Sequence, residues 1–166
     1  MKSVEKRIKE NMEAGPQRDG LLDMVNSFFD TDDYYERVKI SNKLFPFEKK
    51  LIPKYEGNCN VLIMSVGMRK EPVILSIISV APERVFLLHT EGSRPTAEEV
   101  MNDPDIISMN VDFELLEIDE VDAANNYHVL KELQQKIEGD ILMDPTGGRK
   151  IVGTVLGTFA FFYRIP

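Results

Sequence analysis

The chain has 166 residues, room for one domain of ordinary size, about 100–150 residues, plus an appendage, but not for two full domains. Its 43% hydrophobic residues suffice for a buried core, while the single cysteine, Cys59, excludes a disulfide framework and a Cys-rich zinc site and points to a reducing, cytoplasmic setting. The net charge of −8 is uneven: residues 1–58 balance 11 Lys or Arg against 11 Asp or Glu, whereas residues 59–166 set 9 against 17, a balance that repels a long polyanion such as extended RNA but leaves room for a small phosphate ligand at a locally basic spot.

The start, MKSVEKRIKENMEAG, lacks the apolar core of a signal peptide, and no run approaches the roughly 18 consecutive apolar residues of a membrane span. Residues 1–58 read as a helical extension or linker, broken by Gly15-Pro16, by Asp30-Thr31-Asp32-Asp33, and by Pro46 and Pro53. Leu21, Leu22, Val25, Phe28 and Phe29 fall at helical spacing, so one segment is amphipathic. A docking or dimer-forming role, or a tether to another segment, fits such an extension.

From Asn60 onward strands alternate with helices. Val61–Val66 (VLIMSV) is a short apolar run of the kind that forms a buried central strand. Glu71–Val80 follows as a helix, with Pro72 in its first turn and Pro82 closing it. Val85–His89 is the second strand. The Thr96/Glu99 spacing of a capping box predicts the next helix start at Thr96. Alternation of Met109, Val111, Phe113 and Leu115 predicts the third strand.

Asp122 can cap a further helix, whose stripe of Leu130, Leu133 and Ile137 ends at Gly139. Asp140–Met143 is the fourth strand, and the turn Pro145-Thr146-Gly147-Gly148 leads into a last helix through Arg149, Ile151, Val155 and Phe159. Four strand–helix units over residues 59–166 predict an α/β fold: a Rossmann-like open parallel sheet with helices on both faces. The ending, Phe162-Tyr163-Arg164-Ile165-Pro166, reads as the way into a fifth strand that does not come. A fragment is therefore expected, with a downstream segment such as an effector domain outside this sequence.

In a sheet wound both ways from its middle, ligands bind where the strand order reverses, here between the first and fourth strands. That selects the loops Ser65-Val66-Gly67-Met68-Arg69-Lys70 and Asp144-Pro145-Thr146-Gly147-Gly148-Arg149-Lys150. Both combine small residues, which let backbone N–H groups approach a ligand, with an Arg-Lys pair and a helix N-terminus, whose partial positive charge and free donors suit phosphate.

These loops resemble the CARF family, the CRISPR-associated Rossmann fold. Asp144, Thr146 and Lys150 match its pattern of Asp or Asn, any residue, Ser or Thr, three residues, then Arg or Lys. The first loop, SVG followed by Glu71-Pro72, looks like that family's first motif. The resemblance covers residues 59–166 and implies a homodimeric sensor in antiviral defence. Its ligand would be cyclic oligoadenylate, the second messenger of type III CRISPR complexes, lying across the two-fold. Cyclic tetra-adenylate is the expected ring, because four identical nucleotides suit two-fold symmetry. Carried over, Ser65, Val66, Gly67, Met68 and Arg69 line the ring together with Thr90. Thr146, Gly147 and Gly148 contact phosphate or ribose, Arg149 and Lys150 supply charge, and Asp144 fixes the turn. No metal or other cofactor is implied. Where this sequence departs from the family is the missing last strand or strands.

Competing readings are weaker. The first loop, SVGMRKEP, lacks the G-x-G-x-x-G of a dehydrogenase, and no G-x-x-x-x-G-K-[ST] is present. A hydrolase set of Ser65, His89 and His128 lacks the G-x-S-x-G elbow. Arg84 and His89 mimic the R-x4-H of HEPN ribonucleases, but strand alternation puts them on opposite faces. His89 reads as a satisfied residue at a strand end and His128 as a surface one. Some CARF proteins cleave their ligand without metal, by in-line attack of a ribose 2′-hydroxyl on the next phosphate. Arg69, Thr146 and Lys150 are the candidates to assist such a step, although neither loop offers an evident general base. The remaining alternative is a scaffold that binds no nucleotide.

Overall fold

The computed structural model describes residues 2–166, so only Met1 of the expected extension lies outside the described residues. Residues up to Pro53 form one unit and Lys54–Pro166 another. Three helices make the first: α1 (Lys2–Asn11), α2 (Pro16–Asp30) and α3 (Tyr34–Leu51). Pro16 occupies the first turn of α2, where its missing N–H costs nothing. The Asp33 carboxylate starts α3 by accepting from the N–H groups of Tyr35 and Glu36 at 2.8 and 3.0 Å. Ile8, Leu21, Val25 and Leu44 form the buried centre of this unit.

Pro46 does not break the helix, contrary to the sequence expectation. α3 runs through it to Leu51, because Ile40, Leu44, Phe47 and Leu51 keep one apolar stripe packed in the cluster, and that burial outweighs the local cost of proline.

The second unit begins with β1 (Val61–Ser65), followed by α4 (Glu71–Val80), β2 (Arg84–His89) and a single 3-10 turn, Glu91–Ser93. α5 (Arg94–Met101), α6 (Pro104–Ser108), β3 (Asp112–Glu117), α7 (Ala123–Gln134), β4 (Ile141–Asp144) and α8 (Lys150–Tyr163) complete it. The strands form one parallel sheet in the order β3-β2-β1-β4. β1 is central and fully buried, as a continuous apolar run requires. Its period of two sends Ile63 to one face, with Phe86, Leu88 and Met143, beneath Leu130 and Leu133 of α7 and Val152, Leu156 and Phe159 of α8. α4 packs on β1 and α5 on β2, and the buried Val73, Ile74 and Ile77 of α4 face the sheet from the other side. The fold is thus α/β and Rossmann-like, with helices on both faces.

Three local expectations are corrected. The helix expected at Thr96 starts at Arg94. The capping box is built instead by Thr90 and Ser93 around the 3-10 turn, and Pro95 takes the first helical turn. The alternation from Met109 misplaces the start of β3. Asp103 caps the short helix α6, Met109 ends it, Asn110 turns with φ 54°, and pairing to β2 begins only at Asp112. Asp122 does cap α7, but the helix ends at Gln134, and Gly139, at φ 111°, serves the turn into β4. Beyond α8 the Met143 N–H, on the outer edge of β4, donates to the Pro166 carbonyl at 2.8 Å.

Candidate functional site

β1 and β4 are neighbours, so the two loops singled out from the sequence emerge side by side at the carboxyl end of the sheet. They touch backbone to backbone. The buried Ser65 hydroxyl donates to the Gly147 carbonyl. A Cβ at Gly147 would collide with the Ser65 carbonyl oxygen, and one at Gly67 would lie 2.8 Å from the Gly148 nitrogen. Gly148 itself turns at φ 78°, in the left-handed region that favours glycine. The glycines are therefore needed first to let the loops approach each other.

Asp144 is held by both oxygens: Oδ2 accepts from Ser76 of α4 at 2.5 Å and Oδ1 from the Thr146 N–H at 2.8 Å. The carboxylate shapes the turn and is already engaged there. Thr146 is exposed beside it.

α8 starts at this turn without a side-chain cap, and α4 starts after the β1 loop in the same way. α3, α6 and α7 are instead capped by Asp33, Asp103 and Asp122. A capping carboxylate would satisfy the free N–H groups and repel an anion, so the two helix starts at the reversal point, like those of α2 and α5, keep donors that α3, α6 and α7 have spent.

A cavity of about 310 Å³ opens between these loops and the ends of β2 and β3. Val66, Ile118 and Val152 give it an apolar floor, and Thr90 and Ser93 a polar side; all five are buried. Met68, Arg149 and Glu120 stand at its lining with Gly67, Gly92 and Gly148. Met68 is 80% exposed. Of the residues selected from the sequence, the cavity brings together Val66, Gly67, Met68, Thr90, Gly148 and Arg149. Ser65 and Gly147 lie beneath in the loop contact, while Arg69, Thr146 and Lys150 stand outside the lining.

The loop cations differ in their partners. Arg69 pairs with Glu71 at 3.1 Å, Lys70 with Glu99 at 2.8 Å and Arg149 with Glu120 at 2.9 Å. The hydrogen bond to Glu99 holds the Lys70 pKa above its ordinary value. Among the described residues no carboxylate pairs with Lys150.

Sequence reasoning missed the third wall, Gly92, Ser93, Ile118 and Glu120. Its one legible signal was position, since every loop at the carboxyl end of a parallel sheet faces the same crevice. His89 is buried with Nδ1 3.1 Å from the Thr90 carbonyl, and His128 is exposed on α7. They do not assemble with Ser65. Among the described residues no group of His, Cys, Asp and Glu is arranged to hold a metal ion, and no helix is long and apolar enough to cross a membrane.

Fold and cavity together define an open parallel α/β domain with a pocket at the point where the strand order reverses. No family model and no curated protein matches the chain. Among solved structures it is similar to Can2 from Sulfobacillus thermosulfidooxidans in complex with cyclic tetra-adenylate, with a TM-score of 0.58 and 16% sequence identity. The match covers 64% of this chain and 30% of that one. At that identity the likeness is one of fold.

Proposed function

We propose that this chain carries a CARF-type sensor domain over residues 59–166. The domain binds cyclic oligoadenylate, by preference cyclic tetra-adenylate, in a homodimer and so controls a type III CRISPR effector, with residues 1–58 as its helical extension. The observation that carries the reading is the meeting of the β1 and β4 loops under a pocket with an apolar floor, beside the uncapped start of α8 and the unpaired Lys150. An apolar floor suits the face of a base, and a helix start with a free cation suits phosphate. A cavity of about 310 Å³ lies at the low end of the roughly 300–1,000 Å³ range of small-molecule pockets. It encloses about one nucleotide, so a ring of four calls for two copies of the site about a two-fold axis. The similar fold of Can2, solved in complex with cyclic tetra-adenylate, adds support.

Calorimetric titration with cyclic tetra-adenylate, with cyclic hexa-adenylate and linear tetra-adenylate as controls, tests this. The expected result is one ring per two chains, with Lys150→Ala weakening binding roughly tenfold to a hundredfold, the range of a lost charge-assisted hydrogen bond. Chromatography of the same mixture separates a receptor, which leaves the ring intact, from a nuclease that opens it. A folded protein that takes up no ring would overturn the sensor reading in favour of a scaffold.

A further inference from the structure

The wall that carries Glu120 is built with care. Asn126, 2% exposed, accepts from the Asp119 N–H at 2.9 Å and donates to the Asp119 carbonyl at 2.7 Å. Asp119 Oδ1 in turn accepts from the N–H groups of Val121 and Asp122 at 2.7 and 2.9 Å. Four hydrogen bonds thus fix the turn on both sides of Glu120, whose carboxylate meets the Arg149 guanidinium at 2.9 Å in the lining of the cavity. The turn that presents this acidic side chain to the cavity is held, not loose.

We infer that Glu120 is a charge gate at Arg149, admitting monoanionic phosphodiesters and rejecting dianionic terminal phosphates; the inference rests on the nucleotide reading of the pocket above. A phosphate reaches Arg149 by displacing or sharing the guanidinium with this carboxylate, which stays tethered beside it. The repulsion between the carboxylate and the incoming group scales with the charge of that group. A terminal phosphate carries about −1.5 to −2 at pH 7, because its second pKa is about 6, while a phosphodiester carries a single charge. Mononucleotides and nucleoside polyphosphates are therefore penalised relative to a ring made only of diesters. The excess acid of residues 59–166 acts in the same direction.

The test compares adenosine 5′-monophosphate with its methyl ester, a monoanion of nearly the same size. Binding is followed by NMR at the Gly148 and Arg149 amides of the full chain, alongside calorimetry with cyclic tetra-adenylate. The wild type should prefer the ester. Glu120→Gln should raise affinity for the monophosphate about fivefold, the size of one exposed ion pair, and should remove most of the preference. In an Arg149→Ala background both ligands should bind more weakly, and the same change should still favour the monophosphate over the ester, which a merely structural role for Glu120 would not produce. Glu120→Ala should behave as the Gln variant does, with thermal unfolding confirming that both remain folded. Equal response of monophosphate and ester to Glu120→Gln, or binding of neither by any variant, would overturn the gate. A wild type that ignores the ring but binds the ester and responds to Glu120→Gln would overturn the messenger reading and leave the gate standing.

Discussion

The pocket has two kinds of wall. Between β1 and β4 the contact is made by main chain, with Gly67 and Gly147 bringing two loops to a distance that no Cβ would permit and Gly148 turning at φ 78°. Beyond β2 and β3 it is made by side chains, with Thr90 and Ser93 bonded to each other and Asn126 holding the turn that presents Glu120. A backbone wall tolerates almost no substitution, because the colliding atoms cannot move aside. A side-chain wall can lose a bond and keep its shape in part. The first kind fixes where a ligand sits; the second is free to tune which ligand is accepted.

The largest expected effect comes from pushing the backbone wall apart. Gly147→Ala sets a methyl group against the Ser65 carbonyl oxygen and strains the Ser65–Gly147 hydrogen bond. The cost should lie near the upper end of the roughly 1–3 kcal/mol of an overpacked site. It is measured as a lower denaturant midpoint, with lost exchange protection at the ends of β1 and β4. An unchanged midpoint would mean that the loops do not touch. Asn126→Ala should cost less, about 1–2 kcal/mol, because it removes two hydrogen bonds and leaves the Asp119 N–H and carbonyl to find water. Exchange should quicken at Val121 and Asp122 while the β1 and β4 loops stay protected. If both walls loosen together in this variant, the division between them is wrong.

The same contrast explains what could be read from the sequence. The β1 and β4 loops were legible because a backbone contact demands glycine, and glycine next to a strand end is visible in one dimension. The strands, the reversal point and the Asp122 cap were legible for similar reasons of period and capping chemistry. Glu120 was not, since one carboxylate in an acidic loop carries no signal until β3 and α7 place it against Arg149. α6 escaped because five residues are too few to show a helical period, and the alternation of Met109 and Val111 imitated a strand in its place. Pro46 misled in the opposite direction, since a local preference was outweighed by an apolar stripe whose partners lie elsewhere in the chain.

The smallest expected effect distinguishes the walls by pH. The Val121 and Asp122 N–H groups that donate to Asp119 favour its ionised form and hold its pKa below the ordinary value. A carboxyl with a depressed folded pKa contributes stability in full above its unfolded value, about 3.9, and loses that contribution as pH falls through the folded value below it. Corrected for intrinsic rates, exchange protection at Val121 and Asp122 should therefore hold steady from neutral pH to about 5 and decline below about 4. Asp119→Asn should flatten that decline. The amides of Leu62 and Ile63 lie in the fully buried central strand β1, so their protection should not follow the Asp119 curve. If those amides weaken in step with Val121 even in Asp119→Asn, acid is loosening the whole domain, and the carboxylate is not what holds the Glu120 wall.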